Sequence, residues 1–359
     1  MGEASPSAVT VAVDANGADL GPAEVAAGAA LAARQGVRTL LFGPAAALAG
    51  ADTVGGLVEL IDAPVSIAKV PDPVAAARST RDASIVLAAK AVADGRADAL
   101  VSGGSTGAAL AAGLLNIRRA PGIHRPALAV SLPVPGRHPV TMLDVGANAE
   151  VRPEHLVQFA FRGAALAQTV HGISRPRVAL LSNGEEQIKG TPLVQEAHAL
   201  LLERAAGSPL VDFVGNTEGN MVLSGDADVV VADGFTGNVA LKTIEGVSAA
   251  TLKSIRDAAT SSSRGKLGGL LLRADLRRLR AEIDPEQQGG AYLLGLRKLA
   301  VVPHGRFGRE GIAQAILLAA RGAGNDLVER THAALEDAGA LKSPPPLASG
   351  QAATVQGTP

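Results

Sequence analysis

The chain has 359 residues, 33 basic and 34 acidic, with no cysteine, no tryptophan and only 2% aromatic residues. That length is enough for a full core and for two lobes. The even charge excludes nucleic-acid binding driven by net charge, and the scarcity of aromatics excludes base-stacking platforms. The missing cysteines exclude disulfides, thiolate metal sites and a covalent thiol nucleophile.

Short apolar runs bounded by turn residues recur in chain order and predict strands at 9–13, 39–42, 58–61, 97–101, 127–132, 140–144, 177–182, 211–215, 228–232 and 299–303. Helices are predicted over 23–35, 83–94, 106–116, 153–170, 192–206 and 237–260, the first opening on Gly21-Pro22. This alternation predicts an α/β fold with a largely parallel sheet covered on both faces. The Pro-Gly-Arg between 127–132 and 140–144 predicts one antiparallel hairpin. No apolar run reaches about 18 residues, the minimum for a membrane span. The first ten residues lack the pattern of a signal peptide, and the absence of cysteine fits a cytosolic protein. Residues 1–335 read as one catalytic unit with two lobes around a cleft. Residues 342–359, rich in Pro, Ser, Gly and Ala, read as a disordered tail.

The chemistry-bearing signal is a set of glycine-punctuated polar turns, each following a strand. Such turns present backbone N–H groups and helix N-termini to an anion. Their repetition predicts a site at the carboxyl ends of several strands. The first turn, VAVDANGADLGP, carries Asp14, Gly17 and Asp19. Asp14 reads equally as a cap on its own turn or as a polar wall of the cleft. The second, VSGGSTGA, carries Ser102, Gly103, Gly104, Ser105, Thr106 and Gly107. It lacks the lysine of a nucleotide-binding P-loop. It reads as a phosphate or acyl-carbonyl cradle, or as a simple helix N-cap.

Asp144 and Asn148 follow the hairpin, and NGEEQIKGTP supplies Asn183, Glu185 and Lys189. Lys189 stands either in a surface ion pair or against an anion. ADGFTGNVALKTIEG supplies Asp233, Gly237, Asn238 and Lys242. His304, between a strand and Gly305, is a candidate general acid or base, or a structural histidine. The seven histidines have no metal-ligand spacing and no dinucleotide fingerprint sits in a strand–turn–helix context, so neither metal nor cofactor is expected.

Residues 252–283 form a basic arm in which Leu272, Leu276, Leu279 and Ile283 share one helical stripe beside Arg273, Arg277, Arg278 and Arg280. Three partners fit it: an anionic membrane surface, an acidic protein, or a second copy of the chain.

Taken in order over residues 9 to about 335, these motifs, with GGAYLLG (289–295) and VVPHG (301–305), resemble the PlsX family. These are phosphate acyltransferases that make acyl phosphate from acyl-acyl carrier protein and inorganic phosphate for phospholipid synthesis. The resemblance implies a three-layer α/β/α sandwich of the isocitrate/isopropylmalate dehydrogenase type, with a small antiparallel element and a protruding arm. It also implies a homodimer, with cytoplasmic location and peripheral membrane contact. On this reading the 102–107 turn holds phosphate or oxyanion, and Lys189 and Lys242 compensate charge. Asp233 and Asn238 orient phosphate, and His304 assists the leaving thiol.

The sequence departs from the family where Ala15-Asn16-Gly17-Ala18-Asp19 replaces the usual A-M-G-G-D. It departs again where Gly103 and Ser105 replace Ala and Asn, and where Arg306 replaces Ser. These departures bear on rate or acyl-chain preference more than on reaction class. The alternatives are a phosphotransacetylase using acyl-coenzyme A, a dehydrogenase of related fold, and a non-catalytic membrane-associated scaffold.

Overall fold

The computed structural model describes residues 9–342, so most of the tail expected over 342–359 lies outside the described residues. Eleven strands form one sheet: β1 (Thr10–Asp14), β2 (Arg38–Gly43), β3 (Val58–Asp62), β4 (Ala99–Ser102), β5 (Ala127–Leu132), β6 (Val140–Leu143), β7 (Arg177–Ser182), β8 (Asp212–Glu218), β9 (Val229–Val231), β10 (Ala291–Leu294) and β11 (Leu299–Val302). Their spatial order is β3-β2-β1-β4-β11-β10-β5-β6-β9-β7-β8. All pairings are parallel except β11 with β10, β10 with β5, and β5 with β6. The expected hairpin is the last of these.

Twelve α-helices accompany the sheet: α1 (Pro22–Ala33), α2 (Ala45–Leu48), α3 (Pro73–Ser79), α4 (Ser84–Ala93), α5 (Thr106–Ala112), α6 (Pro153–His171), α7 (Pro192–Ala205), α8 (Gly234–Thr260), α9 (Ser263–Leu271), α10 (Arg273–Glu282), α11 (Arg309–Gly324) and α12 (Leu327–Asp337). Punctuation residues set several boundaries. Pro22 and Pro153 occupy first-turn positions, where a missing N–H costs nothing. Gly172, at φ 72°, ends α6 in the left-handed conformation.

Strand alternation divides the core. Val11, Val13, Leu41, Val101, Val229 and Val231 join a cluster with α1, α6, α7, α11 and α12. Ala12, Leu40, Phe42, Leu100 and Val230 face the opposite way and pack with α4 and α5. The sheet is thus buried on both faces, giving the three-layer sandwich.

The three antiparallel pairings reverse the strand direction across the sheet. The carboxyl ends of β1, β4 and β11 lie on one edge, and those of β6, β9 and β7 lie on the other.

The arm begins earlier than the basic segment. Only Gly234 and Gly237 of the 27-residue α8 are buried, Ala240, Leu241 and Ile244 rest partly buried against the core, and the remainder of the helix extends beyond them. The expected stripe starts at a break: Leu272 lies between α9 and α10 and is 54% exposed, while Leu276, Leu279 and Ile283 are half-buried. In α9 and at the break the exposed large apolar side chains are Leu267, Leu270, Leu271 and Leu272.

Candidate active site

The expected single row of turns resolves into two groups, one on each carboxyl edge. The first joins the turns after β1, β4 and β11. The Asp14 carboxylate, buried at the end of β1, accepts from the Ser84 hydroxyl at 2.6 Å, the Ser102 hydroxyl at 2.8 Å and the Asn16 amide at 3.1 Å. Burial pushes the Asp14 carboxyl up, and these three donors hold it down. Its oxygens face the protein interior, so Asp14 fixes the spacing of β1 and β4. Ser84, which sequence reasoning missed, carries no signal because it sits in an apolar helical run.

Gly17 and Gly104 meet backbone to backbone: a Cβ on Gly17 would stand 2.7 Å from the Gly104 Cα. The Gly104 amide donates to Ser102 Oγ at 3.3 Å. Ser105 is the N-cap of α5, its hydroxyl accepting from the Ala108 amide at 3.2 Å, so replacing the family asparagine keeps a strong capping group. Thr106 beside it is exposed and Gly107 half-buried. The Asp19 amide donates to the Gly305 carbonyl at 2.9 Å, which brings His304 and Arg306 to the same turns. Asp19, His304 and Arg306 are exposed there, whereas Gly103 is buried against Ala18.

The second group joins the turns after β6, β9 and β7. Asp144 is completely buried. Its Oδ1 accepts from the amides of Leu128 (3.0 Å), Gly146 (3.2 Å) and Ala147 (3.0 Å). Its Oδ2 accepts from the Asn148 amide (2.8 Å) and side chain (2.7 Å). Burial pushes this carboxyl up, while the surrounding N–H donors favour the ionised form. Both oxygens are engaged, so Asp144 shapes the 145–148 turn from within. Asn148 also donates to the Pro126 carbonyl at 2.7 Å.

That turn presses on α8. The Gly234 amide donates to the Asn148 carbonyl at 2.8 Å, and a Cβ on Gly237 would overlap the Asp144 carbonyl. The close approach leaves exposed Asn238 beside Gly146. Asp233 caps α8, its carboxylate accepting from the amides of Phe235 (3.0 Å) and Thr236 (2.9 Å) and from the Thr236 hydroxyl (2.7 Å). Lys242 lies two turns along and pairs with Glu245 at 2.7 Å.

Lys189 is exposed and has no ion-pair partner among the described residues. Its loop is closed by the Gly190 amide donating to Asn183 Oδ1 at 2.9 Å, and Glu185 is exposed in the same loop. Another residue missed from sequence is Arg162 of α6, fully buried and donating to the carbonyls of Gln158, Arg125 and Leu294. Burial lowers its pKa to about 9, which leaves the guanidinium charged at neutral pH, and nearby Asp144 opposes the shift. No hydrogen bond or ion pair among the described residues links the two groups.

The first group offers paired glycines, hydroxyls and a helix start; the second offers a pressed turn, Asn238 and a lysine. Such groups bind anions and stabilise developing negative charge.

The family described as "Fatty acid synthesis protein" matches residues 9–330. The chain is 45% identical over 313 residues to the phosphate acyltransferase of Thermobifida fusca, covering 86% of each. It is 41% identical over 328 residues to that of Geobacillus sp., covering 91% of this chain and 98% of the relative. A phosphotransacetylase from Streptococcus pyogenes superposes with TM-score 0.59 at 18% identity, over 88% of this chain and 94% of its own. EutD phosphotransacetylase from Staphylococcus aureus gives 0.58 at 18%, over 89% and 95%. The solved structures share the fold, and the family match and these identities show that the chain belongs to the PlsX family of phosphate acyltransferases.

Proposed function

We propose that this acyltransferase moves a fatty acyl group from acyl carrier protein to inorganic phosphate, giving acyl phosphate for phospholipid synthesis. The supporting observation is the presence of glycine-rich polar turns on both carboxyl edges, one carrying Gly103–Thr106, the other carrying Asn238 beside Gly146 and, in the loop after β7, exposed Lys189 without an ion-pair partner among the described residues. A phosphate oxygen attacks the thioester carbonyl, the carbon–sulfur bond breaks, and the carrier thiol leaves with a proton. With no cysteine in the chain, no enzyme thioester forms and direct transfer is the simplest route. Holding phosphate beside the carbonyl contributes by proximity. A well-placed donor to the tetrahedral oxyanion contributes about 3–4 kcal/mol. The 102–107 turn is assigned to phosphate or oxyanion, Lys189 to charge compensation, Asn238 to phosphate orientation and His304 to the leaving thiol. Asp233, engaged as a cap, acts by orienting the start of α8.

The arm is assigned to peripheral membrane contact. A cleft of about 700 Å³ between α8, α9 and α10 is lined by Lys253, Arg256, Lys266, Arg273, Arg277 and Arg280 together with apolar side chains. Exposed Leu267, Leu270, Leu271 and Leu272 adjoin it. Cations beside exposed leucines suit an anionic lipid surface. No helix among the described residues is long and apolar enough to cross a membrane. Exposed Phe235, Val239 and Val247 on α8 support a homodimer, checked by sedimentation equilibrium.

The deciding experiment is acyl phosphate formation from palmitoyl-acyl carrier protein and phosphate, trapped as hydroxamate. Phosphate-dependent product is expected. Product from acyl-coenzyme A alone would move the reading to a phosphotransacetylase. No product from either donor would end it.

A further inference from the structure

The chain leaves α5 through a π-helical turn, Gly113–Ile117, and then Arg118 adopts φ 69° and ψ 159°. Both features are sparsely populated for ordinary residues, and such local irregularities concentrate at functional positions. The irregular segment is held in place: the Arg297 amide donates to the Arg118 carbonyl at 2.9 Å, and Arg119 bridges antiparallel to Leu296. Arg118 and Arg119 therefore stand beside Arg297 and Lys298, and all four are exposed.

Arg125 and Arg152 extend this cluster. Arg125 precedes Pro126, whose carbonyl accepts from Asn148, so it adjoins the second group of the site. Arg152 is the N-cap of α6, an unfavourable place for a cation in the helix field. The His124 and His155 rings lie 5.3 Å apart between these two arginines. Burial first, then the neighbouring His124 and Arg125, hold His155 down to about 4, with Glu154 opposing and Arg152 adding to the shift. Glu150 and Glu154 are the acidic residues on this stretch. Among the described residues, none of the six cations is in an ion pair, whereas Arg34, Arg38, Arg177 and Arg309 elsewhere each hold a carboxylate. The cluster lies where β5 and β11 begin and β10 ends, the edge that carries the ends of β6 and β9.

Unpaired like charges gathered at the mouth of a site repel one another. They are useful when the partner supplies the opposite field, which steers encounter and fixes orientation. We propose that the cationic edge of Arg118, Arg119, Arg125, Arg152, Arg297 and Lys298 docks the acidic carrier protein that delivers the acyl thioester, leaving the arm to the lipid surface. This rests on the carrier-dependent reaction proposed above.

The test compares two donors on the full chain: acyl-acyl carrier protein, and acyl-pantetheine, which presents the thioester without the protein. The variant Arg125→Glu/Arg297→Glu/Lys298→Glu is expected to raise KM for the carrier donor at least tenfold. It should flatten the salt dependence of kcat/KM and leave the acyl-pantetheine constants within twofold. Arg273→Gln/Arg277→Gln/Arg280→Gln is expected to leave carrier KM unchanged. An unchanged carrier KM in the edge variant overturns the proposal, as does an equal rise with both donors. So does a carrier defect confined to the arm variant. Wild-type protein inactive on both donors would defeat the functional reading alone. Titration of labelled carrier onto wild type and edge variant then decides docking, with equal affinity overturning it and at least tenfold weaker binding to the variant upholding it.

Discussion

The Asp19 amide donates to the Gly305 carbonyl over 2.9 Å, tying the turn after the first strand to the turn after the last. A few residues away, Gly17 and Gly104 leave no room for a side chain. The first group of the site depends on three chain segments approaching as bare backbone.

Gly17→Ala therefore forces backbone apart. We expect a loss of about 1–3 kcal/mol in urea unfolding and at least a tenfold drop in acyl phosphate formation. Gly246→Ala is the control, since a Cβ there meets nothing within 4 Å on exposed α8. Removing that helical glycine should add roughly 0.5–1 kcal/mol.

Asp144→Asn replaces an all-acceptor carboxylate with an amide whose NH₂ faces N–H donors. The five bonds that shape the 145–148 turn cannot all be kept. The expected cost is about 3 kcal/mol in urea unfolding, with turnover reduced in protein that remains folded by circular dichroism. Full stability in this variant would mean that the carboxylate charge contributes nothing to the turn.

Two histidines set an acid limit. His155 and His171 are each held down to about 4 from 6.5, chiefly by burial. Between those values the unfolded chain binds more protons than the native one. Stability is therefore complete above 6.5 and declines as pH falls towards 4. His155 Nδ1 also accepts from the Arg152 amide in a capping box, which glutamine can reproduce. His155→Gln should keep stability at pH 7.5 and lose less than wild type at pH 5, read as urea midpoints.

The two lysines should separate. Lys189→Ala is expected to lower kcat at least 100-fold, the scale of removing a charge-stabilising donor. Lys242, already paired with Glu245, should cost less than tenfold as Lys242→Ala. Equal large losses would restore Lys242 to the anion site, and an unchanged Lys189→Ala would remove Lys189 from it.

For the arm, Leu270→Ser/Leu271→Ser is expected to weaken sedimentation with vesicles containing anionic lipid while lipid-free turnover stays the same. Equal sedimentation would direct attention to another surface.

Much of the architecture was legible because its signals are local. The apolar runs at 127–132 and 177–182 became strands with the same bounds, and the Pro-Gly-Arg turn became the hairpin. β10 was missed because four residues, AYLL, lie between glycines at positive φ and read as a glycine-rich motif. α11 was passed over although its Ala- and Leu-rich sequence is strongly helical. The division of the site into two groups was not legible. It depends on the direction in which β10 and β5 enter the sheet, and no residue encodes that locally. The same holds for Asp14 and Asp144: their positions after strands were readable, but the saturation of their oxygens depends on Ser84, Leu128 and other residues distant in sequence.

The placement of β11 between β4 and β10 has a consequence for biogenesis. Strands β5 to β9 are contiguous in sequence and pair among themselves, so that half can assemble while the chain is still emerging from the ribosome. The other half waits: β4 keeps an open edge until residue 302 has been made. During that interval the nascent chain carries an unpaired template strand next to a finished neighbour, a state in which a chaperone is useful and a truncated product is prone to aggregate.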